Sequence, residues 1–279
     1  MKSLLSVDLE DWFQVENLRE AIPRSSWENQ ESRIENNVDK VLAVLDEEDT
    51  KATFFCLGWI VERFPGLIKK IHKEGHEIAS HGYSHDVVYN LRRDEFSSDL
   101  IKSKDLLENI IGEKVIGYRA PNFSITDWAI DVLIENCFLY DSSLFPTMVN
   151  IRYGKLINYN IQDKSCIELK DGFYEVLLSC ISIFGKNLPW AGGGYFRLTP
   201  YWIFKKGIER ILKKKDVATI YVHPWEFDPA QPRFKNIKLQ YRFRHYINLK
   251  RTESKFALLL KDFKFQPIRK YIEEIQTNL

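Results

Sequence analysis

Gly75-His76-Glu77-Ile78-Ala79-Ser80-His81-Gly82-Tyr83-Ser84-His85 is a short apolar run that ends in metal-ligating side chains, and that pattern sets the expected fold. The run from His76 to Ser80 predicts a buried strand that delivers His81 at its C-terminal end. Four of the six histidines (His72, His76, His81, His85) fall in or just before this stretch. His81 and His85 are four positions apart, a spacing that brings two imidazoles onto one face of a helical turn. Two neutral imidazoles make half of a metal site and leave the rest to other segments. The pattern is not His-Glu-x-x-His, because His76-Glu77 would need a histidine at position 80, which is Ser80.

The same strand-then-polar-end pattern recurs on both sides. Leu4 to Asp8 reads as a buried strand ending in acid, followed by a loop from Trp12 to Asn29. Ile34, Val38, Val41, Leu42 and Leu45 repeat at helical spacing between Glu31 and Glu47. Thr53 to Gly58 is a strand, and Trp59 to Lys73 a helix broken at Pro65-Gly66. Further on, Asp94–Ile111 is helical, Val115–Tyr118 a strand, and Thr126–Asn136 a helix with Thr126 as its N-cap. Phe138 to Tyr140 is a short strand, and Ser165 to Phe184 holds strand-like runs broken at Asp171-Gly172. Thr199-Pro200 opens a helix through Lys213, and Val217–Val222 is a last apolar strand ending at His223-Pro224. About six or seven such units predict an α/β fold, an incomplete (β/α) barrel of about seven parallel strands. Residues 1–228 are assigned to this barrel, and 229–279 to a basic, aromatic C-terminal extension packed on it, with helical patterns at 253–262 and 267–276.

Lys+Arg (40) and Asp+Glu (39) nearly cancel over 279 residues, so no bulk field favours nucleic acid or an anionic membrane. Four cysteines without Cys-x-x-Cys spacing argue against a disulfide framework and fit a reducing compartment. The N-terminus reaches Asp8 before a signal-peptide apolar region forms, and no run approaches the ~18 apolar residues of a membrane span. A soluble, cytoplasmic protein without a transmembrane segment is therefore expected.

Polar groups stand at four strand ends. Asp8-Leu9-Glu10-Asp11 offers three carboxylates, with Asp8 and Glu10 on one side where the strand pairing extends that far. Arg119 directly follows a buried strand, where a planar cation can clamp a carboxylate. His223 ends the last strand. In barrels, active sites gather on this C-terminal rim.

In this order the segments resemble the polysaccharide deacetylases, the NodB-homology fold of carbohydrate esterase family 4, over roughly residues 3 to 228. Val7-Asp8-Leu9-Glu10-Asp11 stands where the family has Thr-Phe-Asp-Asp, and Ser80-His81-Gly82-Tyr83-Ser84-His85 is similar to its His-Ser/Thr-x-x-His motif, with Gly82 at the Ser/Thr place. Arg119-Ala120-Pro121-Asn122 is similar to Arg-x-Pro-Tyr, and Tyr221-Val222-His223-Pro224 to Leu-x-His-Pro. Asp8 to Phe13, Gly192 to Arg197 and His223 to Glu226 resemble a narrower branch associated with exopolysaccharide gene clusters. The resemblance implies a divalent metal, most simply Zn²⁺, held by His81, His85 and either Glu10 or Asp11, with strand alternation favouring Glu10. It implies Asp8 as general base, oriented by Arg119, and His223 as the acid that protonates the leaving amine. The backbone near Asn122 would stabilise the oxyanion, and Asp141 or Glu226 would stand in for the family's acid that orients the histidine. Pro121, Asn122, Trp190, Tyr195 and Trp225 are expected to meet substrate, with Trp12, Phe13, Tyr83 and Phe123 nearby as further aromatic surface for sugar rings. The implied reaction is removal of N-acetyl groups from amino sugars of a bacterial polysaccharide or its precursor. Hydrolysis of another amide, such as a cyclic imide or ureide, and an inactive glycan-binding module are the alternatives.

Overall fold

The computed structural model describes residues 2–147, 153–161, 164–183 and 185–277. Phe184, the predicted end of the strand-like stretch, and residues 1, 278 and 279 lie outside the described residues. The strand β1 (Lys2–Leu9) is buried at every position after the first. Such a continuous run is what a strand covered on both faces of a parallel sheet requires. Around it lie β2 (Thr53–Cys56), β3 (Glu77–Ser80), β4 (Gly117–Tyr118), β5 (Tyr140–Asp141), β6 (Cys166–Lys170), β7 (Phe173–Val176) and β10 (Thr219–Val222). The order is β10-β1-β2-β3-β4-β5-β7-β6. Neighbours from β10 to β7 are parallel, and β6 returns antiparallel along β7. The sheet curls into an incomplete barrel, as expected, with β10 and β6 at its open edges. A separate hairpin pairs β8 (Cys180–Ile183) with β9 (Lys186–Pro189).

The helices α1 (Ile34–Glu47), α2 (Gly58–Arg63), α3 (Pro65–Lys73), α4 (Arg93–Ile111), α5 (Asp127–Glu135), α6 (Gly193–Leu198) and α7 (Tyr201–Leu212) cross between strands. Each of these helices buries apolar side chains; in α1 they are Ile34, Val38, Val41, Leu42, Val44 and Leu45. Pro65 starts α3 rather than kinking one long helix, since proline is tolerated in the first turn, where its missing N–H has no partner to lose. Thr126 precedes α5 but makes no side-chain cap hydrogen bond, so the expected N-cap contact is absent there.

After β10 the chain forms α8 (Leu239–Tyr246), α9 (Thr252–Asp262), β11 (Lys264–Gln266) and α10 (Ile268–Thr277). Leu4 pairs with both Thr219 of β10 and Gln266 of β11, so β11 lies on the β2 side of β1 and extends the same sheet. Helix α10 then covers the N-terminal ends of the strands. Its Ile268 and Arg269 backbone amides donate to Thr53 and Glu77, and Ile268, Tyr271 and Ile272 pack with Leu4, Phe55 and Tyr140. The C-terminal segment thus closes one end of the barrel, and α8 reaches the other. No helix among the described residues is long and apolar enough to cross a membrane.

Candidate active site

The loop after β3 carries His81 and His85. It is not a helical turn: Gly82 and His85 have φ of 69° and 55°. The two imidazoles converge because the Asp99 carboxylate of α4 accepts the Tyr83 and Ser84 amides at 2.7 and 2.9 Å and fixes the loop. Glycine is required at 82, where a Cβ would also come within 2.8 Å of Asp99 Oδ2. That explains the missing Ser/Thr. The rings of His81 and His85 stand edge to face, 5.5 Å apart. His81 Nδ1 lies 2.7 Å from the Arg119 carbonyl, so Nδ1–H donates and Nε2 offers its lone pair. Burial, reinforced by His85, holds the His81 imidazole down at about 4, against the pull of Asp8 and Glu10. Of the other histidines in the opening stretch, His76 is buried against Phe54 and accepts the Ala52 amide, and His72 faces Glu113.

β1 supplies the carboxylates. Glu10 Oε2 lies 2.6 Å from His85 Nε2, and Glu10 Oε1 lies 3.4 Å from His223 Nε2 and accepts the Trp225 indole N–H. Burial pushes the Glu10 carboxyl up, but His85, His223 and His81 together carry it down to about 2. Asp11 points elsewhere. Its two oxygens accept from the amides of Trp12 and Arg33 and from the Ser32 hydroxyl, which anchors the loop that follows β1. Asp8 shares the inward side with Glu10. Its Oδ1 receives Arg119 Nη1 at 2.7 Å, and its Oδ2 stands 3.9 Å from His223 Nε2. Arg119 is fully buried and spends its remaining donors on Ser6 and Ser142.

His223 follows β10 and opens a short 3₁₀ turn in which Glu226 folds back. Glu226 Oε2 accepts the His223 amide at 3.1 Å and faces Nδ1 at 3.5 Å. Burial alone would depress the His223 imidazole; Glu226, then Glu10 and Asp8, lift it to about 9. Glu226 is held in turn by Arg197 of α6 at 2.9 Å. The same guanidinium donates to the carbonyls of Arg244, His245 and Ile247. The Trp225 ring lies between His223 and His245, stacked at 5.3 and 4.5 Å. Asp141, the other acid considered for His223, is committed to Ser143 and to the buried Glu175 carboxyl.

A pocket opens over His223 and Glu10, and Asn122, Tyr195 and Trp225 line it. Asn122 has a φ of 54° inside a 3₁₀ turn started by Pro121. Pro121 shapes that turn and is not among the lining residues. The expectation for Trp190 needs correcting. Its indole is stacked on Phe204, donates to the Phe204 carbonyl and fills the space over Gly207, so it packs α7 and does not reach the pocket. Trp12 and Phe13 are likewise core residues. Sequence reasoning missed Arg197, Arg244 and His245. Arg197 closes the Gly192 to Arg197 run, and the density of cations and aromatics in 229–251 hinted at Arg244 and His245.

One ligand atom each from Glu10, His81 and His85 lies within 4.8 Å of the others, and all three residues are buried. Glu10 Oε2 makes no hydrogen bond of ordinary geometry, so a buried acceptor faces two imidazoles across a small gap. One carboxylate and two imidazoles suit a zinc-like divalent ion with further positions open. The residues present fit such an ion.

Comparison with known proteins agrees with the fold. Residues 26–136 match the family model for polysaccharide deacetylase, and residues 142–273 match one described as a domain of unknown function, DUF3473. A peptidoglycan-N-acetylglucosamine deacetylase of Bacillus cereus is 33% identical over 109 residues, covering 34% of this chain and 40% of that protein. The chain spans less than half the length of the first curated relatives it matches. Among solved structures, a Mycobacterium smegmatis protein described as a polysaccharide deacetylase superposes with a TM-score of 0.62 at 19% identity, covering 99% of this chain and 91% of that one. A family 4 carbohydrate esterase from Streptomyces lividans gives 0.51 at 13% identity, covering 95% and 91%. At these identities the two structures speak for the fold alone. Residues 26–136 thus match the polysaccharide deacetylase family, and the incomplete barrel built on them has the fold of the solved structures it superposes on.

Proposed function

We propose that the protein is a metal-dependent N-deacetylase acting on amino sugars of a bacterial polysaccharide or its precursor. The observation that carries this reading is the meeting of Glu10, His81 and His85 with Asp8 and His223 on one rim of the barrel. The Bacillus cereus relative is named a peptidoglycan-N-acetylglucosamine deacetylase, an activity of the same class.

Glu10, His81 and His85 would hold a divalent ion, zinc in the simplest case, which would supply Lewis-acid polarisation of the acetamide carbonyl and acidify water. The chain's own residues then divide the proton work. Asp8 keeps Oδ1 on Arg119 and leaves Oδ2 to take a proton from the attacking water. His223, charged through Glu226, carries its proton on Nε2 toward the pocket and gives it to the amine nitrogen as the carbon–nitrogen bond breaks. Water thus divides into the hydroxyl of acetic acid and a hydrogen on the free amine. Asn122 and Tyr195 lie where they meet the sugar.

Acetate release from N-acetylglucosamine oligomers, measured before and after chelation, tests the proposal. Asp8→Asn and His223→Ala are expected to slow turnover by about 10²-fold or more with metal content unchanged. Activity that survives both substitutions and chelation would overturn it.

A further inference from the structure

The pocket's acids are accounted for. Glu10 faces His85 and His223, Glu226 is paired with Arg197, and Glu16 lies 3.6 Å from Arg19 and accepts from Asn122. Arg244 of α8 lines the same pocket, and its guanidinium makes no hydrogen bond or ion pair among the described residues. Its backbone is fixed, because the Arg244 carbonyl accepts from the buried Arg197. Its side chain is guided too. A Cβ at Gly194 would sit 3.0 Å from Arg244 Cγ, and the Tyr195 ring centroid is 5.8 Å from Arg244 Cζ. Gly194 and Tyr195 therefore form a trough along which the cation lies toward the pocket. The segment around it, Arg233 to Arg251, holds seven Lys/Arg and no Asp or Glu, in a chain whose net charge is only +1. Lys238 of this segment is paired with Glu20, whereas Arg244 has no ionic partner among the described residues, and such a guanidinium at the mouth of a sugar pocket suits an anion on the ligand.

We propose that Arg244 forms a subsite for an anionic substituent, a carboxylate or a phosphate, on the glycan that presents the acetamide. The inference rests on the deacetylase reading for its substrate but can be measured by binding alone. A planar guanidinium takes either group through two parallel N–H donors, so the two sources share one chemistry.

The test compares matched pairs on the full-length, zinc-loaded protein. One pair is the N-acetylglucosamine tetramer against an alternating N-acetylglucosamine–glucuronic acid tetramer. The other is N-acetylglucosamine against its 1-phosphate. Binding is measured by calorimetry and kcat/KM by acetate release. The charged member of at least one pair is expected to be favoured about tenfold or more, the scale of a charge-assisted contact. Arg244→Gln is expected to bring that ratio close to one, and Arg244→Lys to restore part of it. Arg242→Gln, exposed on the same helix and outside the pocket lining, is expected to keep it. A response confined to the uronate or to the phosphate pair upholds the subsite and names its source. No preference in either pair, a preference that survives Arg244→Gln, or equal loss in Arg242→Gln overturns it. Absence of acetate with the binding preference intact removes the deacetylase reading and leaves the subsite standing.

Discussion

Replacing Arg197 with methionine is expected to destabilise the fold and the acid side of the site together. The guanidinium is buried and donates four hydrogen bonds, one to Glu226 and one each to the carbonyls of Arg244, His245 and Ile247. Methionine fills much of the volume but leaves the buried Glu226 carboxylate without its cation. Breaking a buried pair from one side costs about 3–5 kcal/mol. The three carbonyls add less, because they lie at the end of α8 and can take up water as the segment loosens. For a chain of this size, roughly 2 °C per kcal/mol converts the loss to a fall of about 6–10 °C in Tm. Urea unfolding followed by circular dichroism measures it. The double variant Arg197→Met/Glu226→Gln removes both charges and is expected to recover more than half the loss. Deacetylation should stay slow in the double variant, since His223 has lost the carboxylate facing Nδ1. A single variant within about 1 kcal/mol of the parent, or a double variant no better than the single, would refute the reasoning.

Other outcomes follow from the same geometry. His81→Ala, His85→Ala and Glu10→Gln should each lower metal content by elemental analysis, whereas Asp11→Ala should keep the metal and lose about 1–3 kcal/mol, because three donors then lack an acceptor. Gly82→Ala should cost about 1–3 kcal/mol and reduce metal content, since its φ of 69° and the Asp99 contact both oppose a side chain. The buried pair Asp141 and Glu175 sets a pH dependence. Burial moves the Asp141 carboxyl from 3.8 up to about 6, and burial with the Asp141 charge raises Glu175 further. A raised folded-state value means that the folded chain holds the proton more tightly. The associated stability is therefore complete below about pH 4 and is lost as pH rises through 6. Glu175→Gln, an isostere of the protonated acid, should raise stability at pH 7, because it removes a carboxyl that burial and the Asp141 charge hold in its protonated form. The gain should disappear by pH 4. A pH profile parallel to the parent's would exclude the shared proton.

The barrel was legible because its signals are local and repeated. Each buried strand is an apolar run, each crossover has helical spacing, and each functional strand ends in a residue that apolar strands seldom carry. Asp8, His81, Arg119 and His223 lie at such ends, so the rim could be assembled from the chain alone. The loop geometry could not. His81 and His85 have helical spacing, yet Asp99, from the following helix, sets their conformation through backbone amides. Trp190 looked like a sugar platform, but whether an indole faces ligand or core depends on what lies opposite, here Gly207 and Phe204. Helix α6 was hidden by its opening glycines, and β11 is only three residues long. Recognition of Arg197 by main-chain carbonyls leaves no signature, because a carbonyl belongs to every residue type.

The place of Glu226 explains why the C-terminal segment must reach the rim. A carboxylate three residues after His223, folded back in a 3₁₀ turn, orients the imidazole from its own turn and not from across the pocket. Buried so close to β10, it needs a cation to stay ionised. Arg197 supplies that cation, and with His223 it holds the Glu226 carboxyl down to about 2 despite burial. Arg197 in turn would be a costly buried charge unless its other donors were satisfied. Carbonyls of residues 244, 245 and 247 satisfy them, and His245 backs the Trp225 ring that lies against His223. Each step follows from the one before it, from His223 to the backbone of α8. A chain ending after residue 228 would retain the proposed metal ligands and Asp8, yet lose the groups that keep Arg197 and Glu226 in register. The two ends of the C-terminal segment therefore act differently on the barrel: β11 and α10 close its floor, while α8 completes the side of the site around His223.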